Sequence, residues 1–95
     1  MLKVPVSGER LDILEWLRDP AAHFPSQRHG DLVKDGVSSA TLAAKLGVSR
    51  AVARTHLDIL TRVGLLRAKK IRYRTFYRRD EYRIAEVSRY FEKGW

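Results

Sequence analysis

In the run LAAKLGVSRAVARTHLDIL, Leu42 to Leu60, the tripeptide Gly-Val-Ser separates two apolar-periodic segments. No other feature of the chain restricts its fold as tightly. Gly47 stands where a helix C-terminus favours a left-handed residue, and Ser49 where the next helix needs a side-chain acceptor for its first N–H groups. Leu42, Ala43 and Leu46 share one helical face before the turn, and Ala53, Leu57 and Leu60 share one after it. Two short amphipathic helices joined by a three-residue turn that opens on glycine form a helix-turn-helix.

With Ala53, Leu57 and Leu60 turned inward, Ala51, Thr55, Asp58 and Arg62 point the opposite way. Arg54 lies beside that face and Arg50 on the first turn. Small residues at 51 and 55 permit close approach to a DNA groove, and the N-terminal half of such a helix is the part that meets base edges. Arginine there can donate two bonds to guanine, while threonine can donate, accept or touch a thymine methyl. The helix N-terminus itself favours phosphate. Asp58 is repelled by phosphates, so the first two turns are the ones expected to enter. The competing reading is an ordinary solvated arginine pair, and charge distribution bears on the choice. Residues 45–79 hold eleven Lys/Arg and Asp58 alone, a net +10, whereas the other sixty hold eight basic and ten acidic side chains, a net −2. Sorting of this kind marks a polyanion-binding face, with nucleic acid the first partner to consider and an anionic membrane surface a weaker one.

At 95 residues the chain has the length of one domain, and residues 1–95 read as a single unit. It has no cysteine, which excludes a disulfide framework and thiolate metal sites and suits a reducing compartment. No apolar run approaches the roughly 20 residues of a membrane span, and MLKVPVSGERLD turns charged too soon for a secretory signal, so a soluble cytoplasmic protein is expected. Ser7 is a candidate cap for a first helix whose stripe is Leu11, Leu14 and Leu17, with Ile13 and Trp16 beside it; Asp19-Pro20 ends it. Residues 20–37, rich in proline, glycine and small polar residues, read as loop with room for a turn of helix, packing Phe24 and Val33 on the core. The helix-turn-helix then spans about 38–63, with Ser38 and Ser49 as caps and Gly64 as the stop. Leu65 to Lys70 and Arg74 to Arg79 are β-competent basic runs around Ile71-Arg72-Tyr73, a hairpin over about 65–79. Asp80 caps a last helix over about 80–93, with Ile84, Val87 and Phe91 at helical spacing.

Three segments carry a family likeness in combination: RLDILEWL, SSATLAAKLGVSRAVARTHLDILTRVGLLRAKK and TFYRRDE. From Arg10 to Tyr77 the chain resembles bacterial winged-helix regulators of the arsenical-resistance-repressor (ArsR) type. That resemblance implies a mainly α fold with a small β-hairpin, a winged helix-turn-helix that dimerises through its terminal helices. It implies a transcriptional regulator, a repressor, whose helix 49–63 reads the major groove while the wing rests on the backbone or minor groove. Carried over by position, Arg50, Ala51, Arg54 and Thr55 are the contacts of the reading helix, with Ser49 and His56 beside them, His56 as a hydrogen-bonder to backbone or phosphate. Ser38, Ser39 and Thr41 fall near phosphate, and Lys69, Lys70, Arg72, Tyr73 and Arg74 belong to the wing. Family metal sensors carry a cysteine pair near the reading helix, or histidine and aspartate in the last helix. This chain has no cysteine, and DEYRIAEVSRYFEKGW has no histidine, so metal sensing is not implied. The wing tip also lacks the usual glycine or asparagine.

Other chemistry finds little footing. His23 and His29, six residues apart, match no structural zinc spacing. No phosphate loop, serine–histidine pattern or carboxylate pair is discernible, so no enzyme, metal or cofactor is expected. Tyr73, Phe76 and Tyr77 interleave with Arg72, Arg74, Arg78 and Arg79. That alternation suits stacking on unpaired bases, or a half-buried hairpin with aromatics on the core side. The core-side reading is preferred for Phe76, and Tyr73 stays open. Apolar residues at the chain ends (Leu11, Leu14, Trp16 and Leu17; Ile84, Val87, Tyr90, Phe91 and Trp95) exceed what a trihelical core needs, which suggests a homodimer. Two-fold symmetry then calls for double-stranded DNA with an inverted-repeat operator. The alternative is a winged-helix adaptor for RNA, single strands or proteins. The residues single out no small-molecule effector.

Overall fold

The computed structural model describes residues 8–27 and 30–91, the side chains of Tyr90 and Phe91 excepted. Ser7, His29, the Phe91 side chain and Trp95 therefore lie outside the described residues. Helix α1 (Gly8–Arg18) buries Ile13, Leu14 and Leu17 and breaks at Asp19, where Pro20 opens the one-turn α2 (Pro20–His23). Ser38 caps α3 (Ser39–Leu46), its Oγ accepting from Thr41 N at 3.2 Å, and Gly47 closes that helix at φ 71°. Ser49 Oγ accepts from Val52 N at 3.2 Å to start α4 (Arg50–Arg62). Asp80 Oδ1 does the same for Arg83 N, 3.1 Å, at the head of α5 (Glu81–Phe91). Among the described residues no helix is long and apolar enough to cross a membrane.

The core is the place where these faces meet. Ile13 and Leu14 from α1, Leu42 from α3, Leu57 and Leu60 from α4, and Leu65 after it are essentially inaccessible. Each such side chain contributes about 1.5–3 kcal/mol relative to exposure, which is what holds α4 rigidly against its neighbours. Trp16 packs edge-on to Phe24 (centroids 6.3 Å apart), and the Lys45 ammonium lies 5.4 Å from the Trp16 ring.

The structure differs from the sequence reading in the loop and at the wing tip. Residues 20–37 contain α2 and the first residue of a two-residue strand β1 (Val37–Ser38), which pairs antiparallel with β3 (Arg74–Arg79) in the register Val37↔Tyr77 and Ser38↔Phe76. With β2 (Leu66–Ile71) the sheet is three-stranded, in the order β1-β3-β2. So short a strand leaves no alternation to read; tertiary pairing makes it. Gln27 holds the loop against it, Nε2 donating to Gly36 O (2.7 Å) and Oε1 accepting from Ser38 N (3.3 Å). Gly36, at φ 105°, lies so close to the Tyr77 carbonyl that a Cβ would collide with it. At the tip Ile71 belongs to the strand and pairs with Arg74, which leaves Arg72-Tyr73 as a two-residue turn. Arg72 carries it at φ 57°, a conformation that costs a non-glycine residue about 1–2 kcal/mol.

Candidate nucleic-acid interface

Pairing register decides which face of the wing Lys69 and Lys70 occupy. Lys70 is opposite Thr75 and Lys69 opposite Phe76, and neighbours along a strand point to opposite faces. Lys70 and Thr75 therefore look towards α4, and Lys69 looks away with the buried Phe76. On the near side, Ser38, Ser39, Arg50, Arg54, Lys70, Tyr73 and Arg74 line one open cleft of about 480 Å³, joined by Ala40 and Thr75. Its floor is the N-terminal end of α3, one wall is α4 and the other is the wing. Arg50, Arg54, Lys70 and Arg74 are exposed and make no hydrogen bond or ion pair among the described residues. Ala51 and Thr55 are exposed on α4; the Thr55 hydroxyl donates to Ala51 O at 3.1 Å, which leaves its lone pairs and methyl group outward. Four uncompensated cations converge on one concavity beside a smooth helix face. Such an arrangement concentrates positive potential and suits a phosphate backbone running through the cleft.

Other sequence-selected residues are placed differently. Ser38 is nearly buried, and its hydroxyl lies 2.8 Å from the Thr41 hydroxyl, so both serve the α3 cap first. Ser49 caps α4. His56 sits on the flank of α4 that meets α1, where its Nδ1 accepts from Arg10 Nε at 3.2 Å; its bond is to a side chain rather than to backbone. Lys69 is ion-paired to Asp35 at 2.6 Å, which ties the outer face of the wing to the 31–36 turn. That pair, together with the Asp31 backbone N–H, holds the Asp35 carboxyl below the usual aspartate range. Arg72 shares a shallow depression at the tip with Ile71, Tyr73 and Arg74. Tyr73 is 97% exposed, while Phe76 and Tyr77 are buried. Burial, with Asp58 nearby, pushes the Tyr77 phenol up, so it stays neutral. Leu14 and Ile84 are core residues of the chain itself, Trp16 and Val87 are partly buried against that core, and Leu11 is exposed.

An uncharacterized HTH-type transcriptional regulator of Bacillus subtilis (strain 168), YbzH, is 35% identical to this chain over 88 residues, 93% of the chain and 88% of the relative. The chain belongs to the HTH-type transcriptional regulators. No family model matches it, and no solved structure does. The helix-rich fold with its small antiparallel sheet fits a winged helix-turn-helix.

Several residues that shape the site of this regulator escaped sequence reasoning. Asp35 decides what Lys69 does, Arg10 occupies His56, and Gln27 fixes β1 and with it the α3 cap. Arg79, one of the eleven basic residues of the charged segment, is buried. Its Nη1 donates to Leu14 O at 2.9 Å and its other nitrogens fork onto Glu81 at 3.0 and 3.1 Å. The adjacent Glu81 was the available signal for that pair. The remaining partners lie too far away in sequence to be read. Among the described residues no group of acidic, histidine or cysteine side chains is placed to hold a metal.

Proposed function

We propose that this regulator binds duplex DNA sequence-specifically, with the N-terminal turns of α4 in the major groove and the wing across the adjacent backbone. The observation that carries the reading is the cleft of four uncompensated cations flanked by small residues at 51 and 55. Arg54 and Thr55 read base edges, Arg50 divides between a phosphate and a base edge, and Lys70, Arg72 and Arg74 neutralise phosphates. The action is repression by occupation of an operator, in the manner of the ArsR type. That assignment rests on the resemblance of the 38–66 block.

The functional unit is a homodimer on an inverted repeat, assembled through α1 and α5. Leu14 and Ile84 support it from the protomer core, so the surface itself rests on Leu11, Trp16, Val87 and Tyr82, which is 89% exposed, with Phe91 and Trp95 beyond the described side chains. Selection of bound duplexes from a randomised pool, followed by the mass of the complex in solution, tests both parts. An inverted repeat bound by two protomers is expected. A monomeric mass with and without duplex refutes the dimer, and selection of no common sequence refutes specific reading.

A further inference from the structure

We propose that Tyr73 is an aromatic wedge that the wing inserts into the minor groove, so that this regulator chooses sites partly by how easily one base step opens. The inference rests on the duplex-binding reading and adds to it a means of discrimination that needs no hydrogen bond to a base. Tyr73 is 97% exposed, the most exposed of the large hydrophobic side chains described. A ring held almost wholly in water contributes no burial to the fold and is free to contact a partner.

The tip is built to present it. Ile71 pairs with Arg74 immediately below, so the loop has two residues and little slack, and Arg72 adopts a left-handed φ of 57° to close it. Arg72 and Arg74 precede and follow Tyr73 in the chain, both exposed and without a partner among the described residues. An aromatic ring with a cation on the residue before it and on the residue after it suits a groove bounded by two phosphate strands.

Topology supplies the choice of groove. Tyr73, Lys70 and Arg74 line the same cleft as Arg50 and Arg54, on its opposite wall. A backbone strand seated in that cleft has α4 on one side and the wing tip on the other. The two sides of one strand are the two grooves, so α4 in the major groove puts the tip at the minor groove. Apolar side chains that enter a minor groove partly unstack a base step and bend the duplex away. Unstacking is easiest at pyrimidine–purine steps, TA and CA/TG, and hardest in stiff A-tracts. The wedge therefore predicts a flexible step beneath the wing in preferred sites.

Duplexes selected by the unmodified protein from a randomised pool are the probe, with the wing located on them by backbone footprinting. Tyr73→Ala is expected to weaken binding about tenfold, as loss of an aromatic–base contact does, while Tyr73→Phe keeps the ring and the affinity. Exposure of the side chain leaves the fold unaffected by either change. Replacing the flexible step by AA should remove the difference between unmodified protein and Tyr73→Ala. Bending, read by energy transfer between dyes at the duplex ends, should fall with Tyr73→Ala and persist with Tyr73→Phe. Undiminished binding by Tyr73→Ala, an equal loss on both duplexes, or selected sites without a flexible step at the wing would each overturn the wedge and leave duplex recognition by α4 standing. An unmodified protein that binds no duplex, or prefers the separated strand, overturns both.

Discussion

Lys69 and Lys70 are neighbours with the same side chain, and the fold employs them in opposite ways. Lys70 faces α4 across the cleft with Arg50, Arg54 and Arg74, where no acidic side chain answers any of them among the described residues. Lys69 faces the outer side, where Asp35 holds it at 2.6 Å. The same contrast runs through the rest of the sheet. Arg79 is forked onto Glu81, and Arg67 lies 3.8 Å from Asp80. Lys69, Arg67 and Arg79 hold structure together, whereas the cations of the cleft, and Arg78 on the outer face, are without partners among the described residues. Net charge counts both kinds alike, so a basic segment overstates its binding face by the number of its internal ion pairs. The unpaired face open to a polyanion is smaller and better defined than residues 45–79.

Substitutions that attack the structural side should have the largest effects. Gly36→Ala drives a methyl into the Tyr77 carbonyl and fixes an alanine near φ 105°, so a loss of about 3 kcal/mol or more of stability is expected in thermal denaturation. Arg79→Ala removes a buried guanidinium from Glu81 and from Leu14 O. Because Glu81 is itself two-thirds exposed, that loss should be about 2–3 kcal/mol, short of a fully buried pair, and the salt dependence of DNA binding should not change. A flattened salt dependence for Arg79→Ala would blur the comparison.

Substitutions in the cleft should leave stability alone and act on binding. Arg54→Ala and Thr55→Ala are each expected to cost about 1–3 kcal/mol on a selected duplex and much less on random duplex, measured by titration of both. Smaller still is the contrast between the two lysines. Lys70→Ala should flatten the salt dependence by about one unit of slope, and Lys69→Ala by clearly less. The Lys69–Asp35 tie has a defined pH range as well. Since the Asp35 carboxyl is depressed in the folded protein, the tie is complete above the ordinary aspartate range and is lost only as the pH falls through the lowered value. Protection of the 31–36 amides relative to their intrinsic exchange rate at each pH should therefore be constant from neutral to mildly acidic pH and fall only below it, whereas Asp35→Asn lowers it throughout.

The helical part of this fold was legible because its signals are local. Ser38, Ser49 and Asp80 cap the helices as their positions indicate, and Gly47 and Gly64 adopt positive φ where the helices stop. The arginines of α4 were readable from the inward phase of Ala53, Leu57 and Leu60, all three buried. The third strand was not readable, because Val37–Ser38 is a strand only by virtue of Tyr77 and Phe76, about forty residues further along the chain. Nor was the division of the wing's cations. A shift of one residue exchanges Lys69 for Lys70, and the register that prevents it is set by a tip where arginine replaces the expected glycine or asparagine. Core and interface were likewise indistinguishable from spacing alone: Leu14 and Leu11 belong to one apolar stripe, yet Leu14 is buried and Leu11 is 42% exposed.

The central claim is that the cleft cations, and not the paired ones, meet DNA. A salt titration of affinity for unmodified protein, Lys70→Ala and Lys69→Ala, on one selected duplex and one random duplex, tests it most directly. The account predicts that Lys70→Ala loses affinity on both duplexes with a slope shallower by about one unit, while Lys69→Ala follows the unmodified protein closely. Equal slopes for the two variants, both shallower than that of the unmodified protein, would contradict it. The outer face of the wing would then be part of the contact, and the Asp35 tie would open when DNA binds.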